Sequence, residues 1–337
     1  MTSDAIATSL RRWTLIAGCL WAAGLGSDAL ASESASPRAR EAARVTLAGS
    51  EQWTLHGEAT NRDYLIQVAV PDSPPPPGGY PVVYMLDGNS RFPLAVVSRD
   101  SLTLRGPYDT TEPWLIVGIG YPDVERFGGD ARSEDYTPPG GKTGCKIGCK
   151  TECKTEGNES PARETGARCA QRPSGGADRF LDVIADQIQP AVAERYAVDG
   201  SRQALVGHSF GGLLTLYALL TRPALFSDYV AISPSLWWHG GEPLRSLVAL
   251  DGDEASRRVL IGVGDKEAGR RPRLATVGKD EVHASPAIDA AGLAEALVAS
   301  HPNWTIASRT FHGAGHGTVM WPAMQALWQF LDVPPQQ

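Results

Sequence analysis

Ser209 stands at the centre of Gly207-His208-Ser209-Phe210-Gly211, a G-x-S-x-G pentad. An apolar run, Ala204-Leu205-Val206, precedes it, and a second run that reads as a helix to Leu220 follows. Strand, sharp turn and helix in that order form a nucleophile elbow, which presents a hydroxyl at the N-terminus of a helix where free N–H groups favour developing negative charge. A serine hydroxyl is a weak nucleophile until a base takes its proton and an acid orients that base. Five histidines lie downstream, at 239, 283, 301, 312 and 316. Phe311-His312-Gly313-Ala314-Gly315-His316-Gly317 follows the last strand-like run, where the base belongs. Of its two histidines, His316, set between glycines, is favoured over His312, which lies nearer the strand. The acid is expected after the run Val259–Val263, in Gly264-Asp265-Lys266-Glu267. The usual offset selects Glu267, with Asp265 as the alternative. One oxyanion N–H is expected from Phe210, directly after the nucleophile, and the second from Asn89 or Gly88 in the loop after Tyr80–Leu86. Asp87 in that turn reads as a loop stabiliser. Trp237 and Trp238, Arg126 and Arg132, and His208 beside the nucleophile are candidate substrate-binding residues. Of the two tryptophans, one is expected exposed and one buried.

These residues need a scaffold, and the rest of the chain supplies its pattern. With 337 residues, 42% of them hydrophobic, the chain is long enough for one large α/β core. Strand-like runs at Gln52–His56, Asp63–Val70, Tyr80–Leu86, Trp114–Ile119, Tyr229–Ile232, Val259–Val263 and Trp304–Phe311 alternate with helical periodicity at Asp178–Tyr196, Ile288–Ser300 and Thr318–Leu331. Pro190 is expected to kink the first of these helices. The proline-rich stretch Pro71–Gly79 must be a surface loop. Such alternation predicts a mostly parallel twisted sheet with helices on both faces, whose ligands sit at the carboxyl ends of the strands. A formal charge of −7 argues against nucleic acid as a partner.

Two segments fall outside that pattern. Arg11-Arg12, the apolar run Trp13–Leu25 and Ala29-Leu30-Ala31 have the layout of a cleaved export signal (residues 1–31), too short to span a bilayer. A mobile leader at 32–44 and a hydrolytic domain at 45–337 would follow, in the periplasm or outside the cell, with no transmembrane span in the mature chain. From 138 to 176 the chain becomes a Cys-rich insertion loop. Its Cys145, Cys149, Cys153 and Cys169 allow three disulfide connectivities, and their spacing does not match a paired zinc site, so no metal is expected. Between Gly140 and Ser174 seven Lys/Arg face four Glu, a local +3 that could draw an anionic substrate toward the site.

Six motifs, in chain order, resemble one known group: Tyr84-Met85-Leu86-Asp87-Gly88-Asn89, Gly118-Ile119-Gly120-Tyr121-Pro122, Arg132-x-x-Asp135-Tyr136-Thr137-Pro138, Gly175-Gly176-Ala177-Asp178-Arg179-Phe180-Leu181, the Ser209 pentad with Gly212, and Ser233-Pro234-Ser235-Leu236-Trp237-Trp238. Together, over about residues 50–335, they are similar to the esterase-D-like branch of α/β-hydrolases, and within it to the trilactone-siderophore esterases. The resemblance implies an α/β-hydrolase fold and carboxyl-ester hydrolysis without cofactor or metal. Ser209 would be the nucleophile and His316 the base. The substrate would be a small-molecule ester, with a ferric siderophore among the candidates. Glu267 is the member of the triad it supports least, because some siderophore esterases work as a Ser–His dyad. The insertion at 138–176 is longer than that group carries. A broad-specificity acyl esterase or transesterase, or a ligand-binding protein on the same fold, are the competing readings.

Overall fold

A computed structural model describes residues 46–102, 112–139, 173–241, 244, 248, 255–267 and 289–333. The expected signal and leader, most of the insertion loop and its four cysteines, and His283 lie outside the described residues. The strands are β1 (Ser50–Gly57), β2 (Arg62–Ala69), β3 (Tyr80–Leu86), β4 (Leu115–Gly120), β5 (Val198–His208), β6 (Asp228–Ile232), β7 (Arg258–Gly264) and β8 (Thr305–Phe311). They form one eight-stranded sheet in the order β1-β2-β4-β3-β5-β6-β7-β8. β1 and β2, and β2 and β4, pair antiparallel; every pairing from β4 through β3 to β8 is parallel. The central strands β3, β4 and β6 are buried along their whole length, as strands covered on both faces must be.

Period-two alternation sorts their side chains to the two faces. On one face Tyr64, Tyr84, Leu86 and Leu205 join Phe180 and Leu181 of α3 (Ala177–Val183), Leu213 and Leu216 of α5 (Phe210–Thr221), and Leu293 and Leu297 of α6 (Ala290–Ser300). On the other, Val83, Met85, Val206 and Val230 join Phe92 and Val96 of α1 (Gly88–Leu102) and Met324, Leu327 and Trp328 of α7 (Met320–Leu331). Trp328 is fully buried, and its indole N–H donates to Ser98 Oγ of α1 at 2.8 Å.

The strand boundaries read from sequence agree with these within a few residues, except that β5 starts at Val198, well before the run Ala204-Leu205-Val206. The helices depart more. The helix read at Asp178–Tyr196 is helical throughout, from Ala177 to Arg195, but with a π-helical turn, Ile184–Ile188, between α3 and α4 (Gln189–Arg195). Pro190 lacks the N–H an uninterrupted α-helix would use, and the wider turn just before it absorbs the missing bond. Two helices went unread. α1 contains Pro93 and has weak amphipathicity, and the seven-residue α2 (Gly129–Asp135) is too short for periodicity to show. Both turn out to border the site.

Candidate active site

Ser209, Ser233, Glu267 and His316 all follow the carboxyl ends of parallel strands (β5, β6, β7 and β8), so the sheet register alone brings them to one edge. Ser209 has φ +60° and ψ −119°, a conformation that L-residues rarely adopt. Three hydrogen bonds hold it there. Its N–H donates to Ile232 O of β6 at 3.0 Å, and its carbonyl accepts from Ser235 N at 3.1 Å and Leu213 N at 3.0 Å. Gly207 is required for the bend, since a Cβ there would lie 2.2 Å from the Gly211 backbone.

Ser209 Oγ lies 3.0 Å from His316 Nε2, and His316 Nδ1 lies 2.8 Å from Glu267 Oε2. The carboxylate fixes the tautomer: Nδ1–H donates to Glu267, leaving Nε2 to accept the serine proton. Glu267 is itself held at its other oxygen, where Oε1 accepts from Ser233 Oγ at 2.6 Å and from Gly264 N at 2.8 Å. All the donors on this carboxylate favour one orientation. Asp265, the alternative acid, points elsewhere: it accepts from Gly313 N at 2.9 Å and pairs with His312 Nδ1 at 3.3 Å. That N–H, and then His312, hold its carboxyl below the usual range. His312 is 91% exposed at its side chain and ties the β8 loop to the β7 loop rather than reaching the serine.

Phe210 opens α5, and Gly88 and Asn89 open α1, so their N–H groups have no acceptor within their own helices. The Asn89 side chain is engaged otherwise. It donates to Tyr121 O and Val124 O at 2.9 and 2.8 Å and accepts from Tyr121 N at 2.8 Å, pinning the loop after β4. Only the backbone of Asn89 is left for an oxyanion.

Arg132 of α2 reaches back to Asp87 after β3, pairing through Nε and, at 2.7 Å, through a terminal nitrogen. Burial works against the charge of Arg132, and the bonds to Asp87 outweigh it and raise its pKa. Arg132 is therefore a neutralised strut and the stabilising partner of Asp87, not a free anion receptor. Its guanidinium also lies over Phe127, Tyr136 and Phe210, at 5.5, 5.1 and 5.8 Å. Arg126 sits exposed on the loop between β4 and α2. A second cation beside the nucleophile strand is Arg91 of α1, which sequence reasoning missed because its helix was not read. Arg91 sits 5.6 Å from the Phe127 ring and 3.4 Å from His208 Nδ1. Burial, and then Arg132, lower its pKa.

His208 was expected to bind substrate; the structure turns it inward. It is 6% exposed, with Nε2 2.8 Å from the His316 carbonyl oxygen. The tryptophans divide as expected: Trp237 is 46% exposed and Trp238 is buried. Both rings lie 5.7 Å from Phe210, so an exposed aromatic wall rises beside the nucleophile on a buried aromatic base. Ser233 and Ser235 also belong to the site, although the sequence offered only their motif. Ser235 Oγ lies 3.4 Å from Ser209 Oγ. Among the described residues no group of three or more His, Cys, Asp or Glu is placed to hold a metal ion.

The strand order, with an elbow serine after β5, an acid after β7 and a histidine after β8, decides the architecture. The chain has the α/β-hydrolase fold. Its sequence matches an esterase family, described as "Putative esterase", over residues 147–292, a span that includes Ser209 and Glu267 and ends before His316. It is 36% identical to the ferri-bacillibactin esterase BesA of Bacillus subtilis over 194 residues, 58% of this chain and 61% of that protein. It is also 36% identical to the siderophore triacetylfusarinine C esterase of Aspergillus fumigatus over 201 residues, 58% of this chain and 59% of that one. The aligned part is thus less than two thirds of either relative. Among solved structures, the hydrolase fold superposes on the BES protein from Bacillus cereus with a TM-score of 0.66 and 25% identity, covering 87% of this chain and 99% of that one. The siderophore hydrolase EstB from Aspergillus nidulans gives 0.64 and 27%, covering 88% and 99%. The resemblance read from the six motifs, to the siderophore-esterase branch of α/β-hydrolases, holds in sequence and in fold.

Proposed function

We propose that this protein is a serine carboxylesterase acting on siderophore-type esters. The observation that carries the proposal is the unbroken line Ser209 Oγ, His316, Glu267, with heavy-atom separations of 3.0 and 2.8 Å. In that geometry His316 Nε2 takes the proton of Ser209 Oγ as the oxygen attacks an ester carbonyl, and Glu267 stabilises the imidazolium. The Phe210 N–H, with one from Gly88 or Asn89, receives the developing oxyanion. His316 then protonates the departing alkoxide, leaving an acyl-enzyme on Ser209. In the second half His316 activates water, which releases the acid and restores the serine. The substrate class rests on the names of the relatives and on the aromatic wall of Trp237, which suits ring-bearing acyl groups. Export through residues 1–31 belongs to the same proposal, and N-terminal sequencing of the protein from its native host tests it.

Incubation with ferric and iron-free trilactones, short p-nitrophenyl esters and feruloyl esters, followed by mass spectrometry of products, tests the reaction. Ring-opened trilactone products, absent with Ser209→Ala, are expected. Folded protein that binds these esters yet neither releases acid nor takes an organophosphonate on Ser209 would overturn the proposal in favour of a ligand-binding role. Turnover of feruloyl or short esters alone would retain the chemistry and overturn the siderophore assignment.

A further inference from the structure

The loop that carries His316 has little of its own to hold it. Gly313 has φ +74°, and a Cβ at Gly313 or Gly317 would meet nothing within 4 Å. Its ties run to the β7 loop and to itself: Lys266 N donates to Ala314 O at 3.0 Å, Gly313 N to Asp265 at 2.9 Å, and Gly315 N to Thr318 Oγ1 at 3.0 Å. None of these ties the backbone of the histidine to the nucleophile strand. The ring meets Ser209 Oγ and Glu267 at 3.0 and 2.8 Å, and the backbone is met by His208, whose Nε2 lies 2.8 Å from the His316 carbonyl oxygen, from the residue adjoining Ser209. A carbonyl only accepts, so His208 carries its proton on Nε2 and its Nδ1 is an acceptor. Arg91 stands 3.4 Å from that Nδ1 as a donor, which selects the same tautomer. The two imidazoles also pack, with ring centroids 4.7 Å apart.

We propose that His208 is a positioning residue: its Nε2–H anchors the His316 backbone, and Arg91 fixes the tautomer that makes this possible. The inference rests on the esterase reading above. Because residue 208 is covalently joined to the nucleophile, one bond sets the depth of the base relative to the serine, and an error of about 1 Å there costs about 100-fold in rate. Burial first, then Arg91 and His316, push the His208 pKa down to about 3, so the ring is neutral at neutral pH.

The test compares three substitutions. His208→Gln can place an amide N–H near the position of Nε2; His208→Asn reaches only the position of Nδ1; His208→Phe fills the volume with no donor. With a small neutral p-nitrophenyl ester, kcat should fall about 10- to 100-fold in the Phe and Asn variants, with KM within about twofold, and Gln should recover most of the loss. A second readout needs no turnover. The His316 Nδ1–H bonded to Glu267 should give a far-downfield proton resonance in the resting protein, retained with Gln and broadened or lost with Asn and Phe. Should Phe fail to fold, the Asn–Gln pair decides. Equal kcat in Asn and Gln, or a sharp resonance in all variants, overturns the role of His208 whether or not the esterase reading stands. Wild-type protein with the resonance but no turnover and no phosphonylation overturns the esterase reading alone.

Discussion

Replacing Glu267 by glutamine changes one atom and should do more harm than removing the side chain. Glu267 Oε1 accepts two donors, Ser233 Oγ–H at 2.6 Å and Gly264 N–H at 2.8 Å. In Glu267→Gln the amide oxygen must take that position, which turns the NH₂ group toward His316 Nδ1. The imidazole can then only accept at Nδ1 and must carry its proton on Nε2, facing Ser209 Oγ. In that tautomer it cannot serve as the base. The loss expected for a wrong-tautomer triad is about 10³–10⁴-fold in kcat, or about 4–5.5 kcal/mol of transition-state stabilisation. Glu267→Ala imposes no tautomer, leaves water to solvate Nδ1–H, and should lose only about 100-fold. Asp265→Asn touches only the exposed His312 contact and the Gly313 N–H, and should stay within about twofold. The assay is steady-state hydrolysis of a p-nitrophenyl ester with active sites titrated by a phosphonate, so that folded fractions are compared. If Ala loses as much as Gln, the tautomer argument fails. If Asn at 265 falls as far as either, the acid has been misassigned.

Three further outcomes follow from burial and charge. His208, with its pKa depressed to about 3, binds its proton more readily in the unfolded chain, so wild-type stability should fall as pH drops below the unfolded value near 6.5. Between pH 6.5 and 4.5 denaturant unfolding should show wild type losing about 2–3 kcal/mol more than His208→Gln; parallel slopes would show that the ring titrates freely. Asp332 has an unpartnered, buried carboxyl oxygen, and burial, then Glu112, raise its pKa to about 6. The folded state holds that proton longer, so stability falls as pH rises from about 4 to 6. Asp332→Asn should therefore raise Tm at pH 7 and leave it unchanged at pH 4, checked by calorimetry at both. Trp237, half exposed beside Phe210, should matter for aromatic acyl groups only. Trp237→Ala should raise KM for feruloyl esters about 3- to 10-fold and leave acetyl esters unaffected, and equal changes for both would remove the aromatic wall from the binding site.

The strands of the sheet were legible because buried parallel strands are continuous apolar runs, and β3, Tyr80–Leu86, was read to the residue. α1 and α2 were not legible. A proline and a polar N-terminal half blur the periodicity of α1, and seven residues are too few for α2 to display one. Their loss carried a cost at the site, since Arg91 comes from α1 and the Arg132–Asp87 pairing spans α2 and the end of β3. That one tryptophan is exposed and the other buried matched the expectation, which did not say which was which, whereas the inward turn of His208 did not match.

Local chemistry is what the sequence by itself determined. The Ser209 bend needs glycine where Gly207 passes Gly211, and the order serine, acid, histidine can be read along the chain without any coordinates. Which acid faces which histidine was decided only by the tertiary structure. Asp265 and Glu267 are separated by a single residue, yet one bonds His312 and the other His316. That choice depends on donors contributed by other strands: Ser233 from the end of β6 holds Glu267, and His208 from β5 holds the backbone of His316. A hydrogen bond is specified by the distance and direction of both partners, and for residues tens of positions apart only the register of the sheet supplies them.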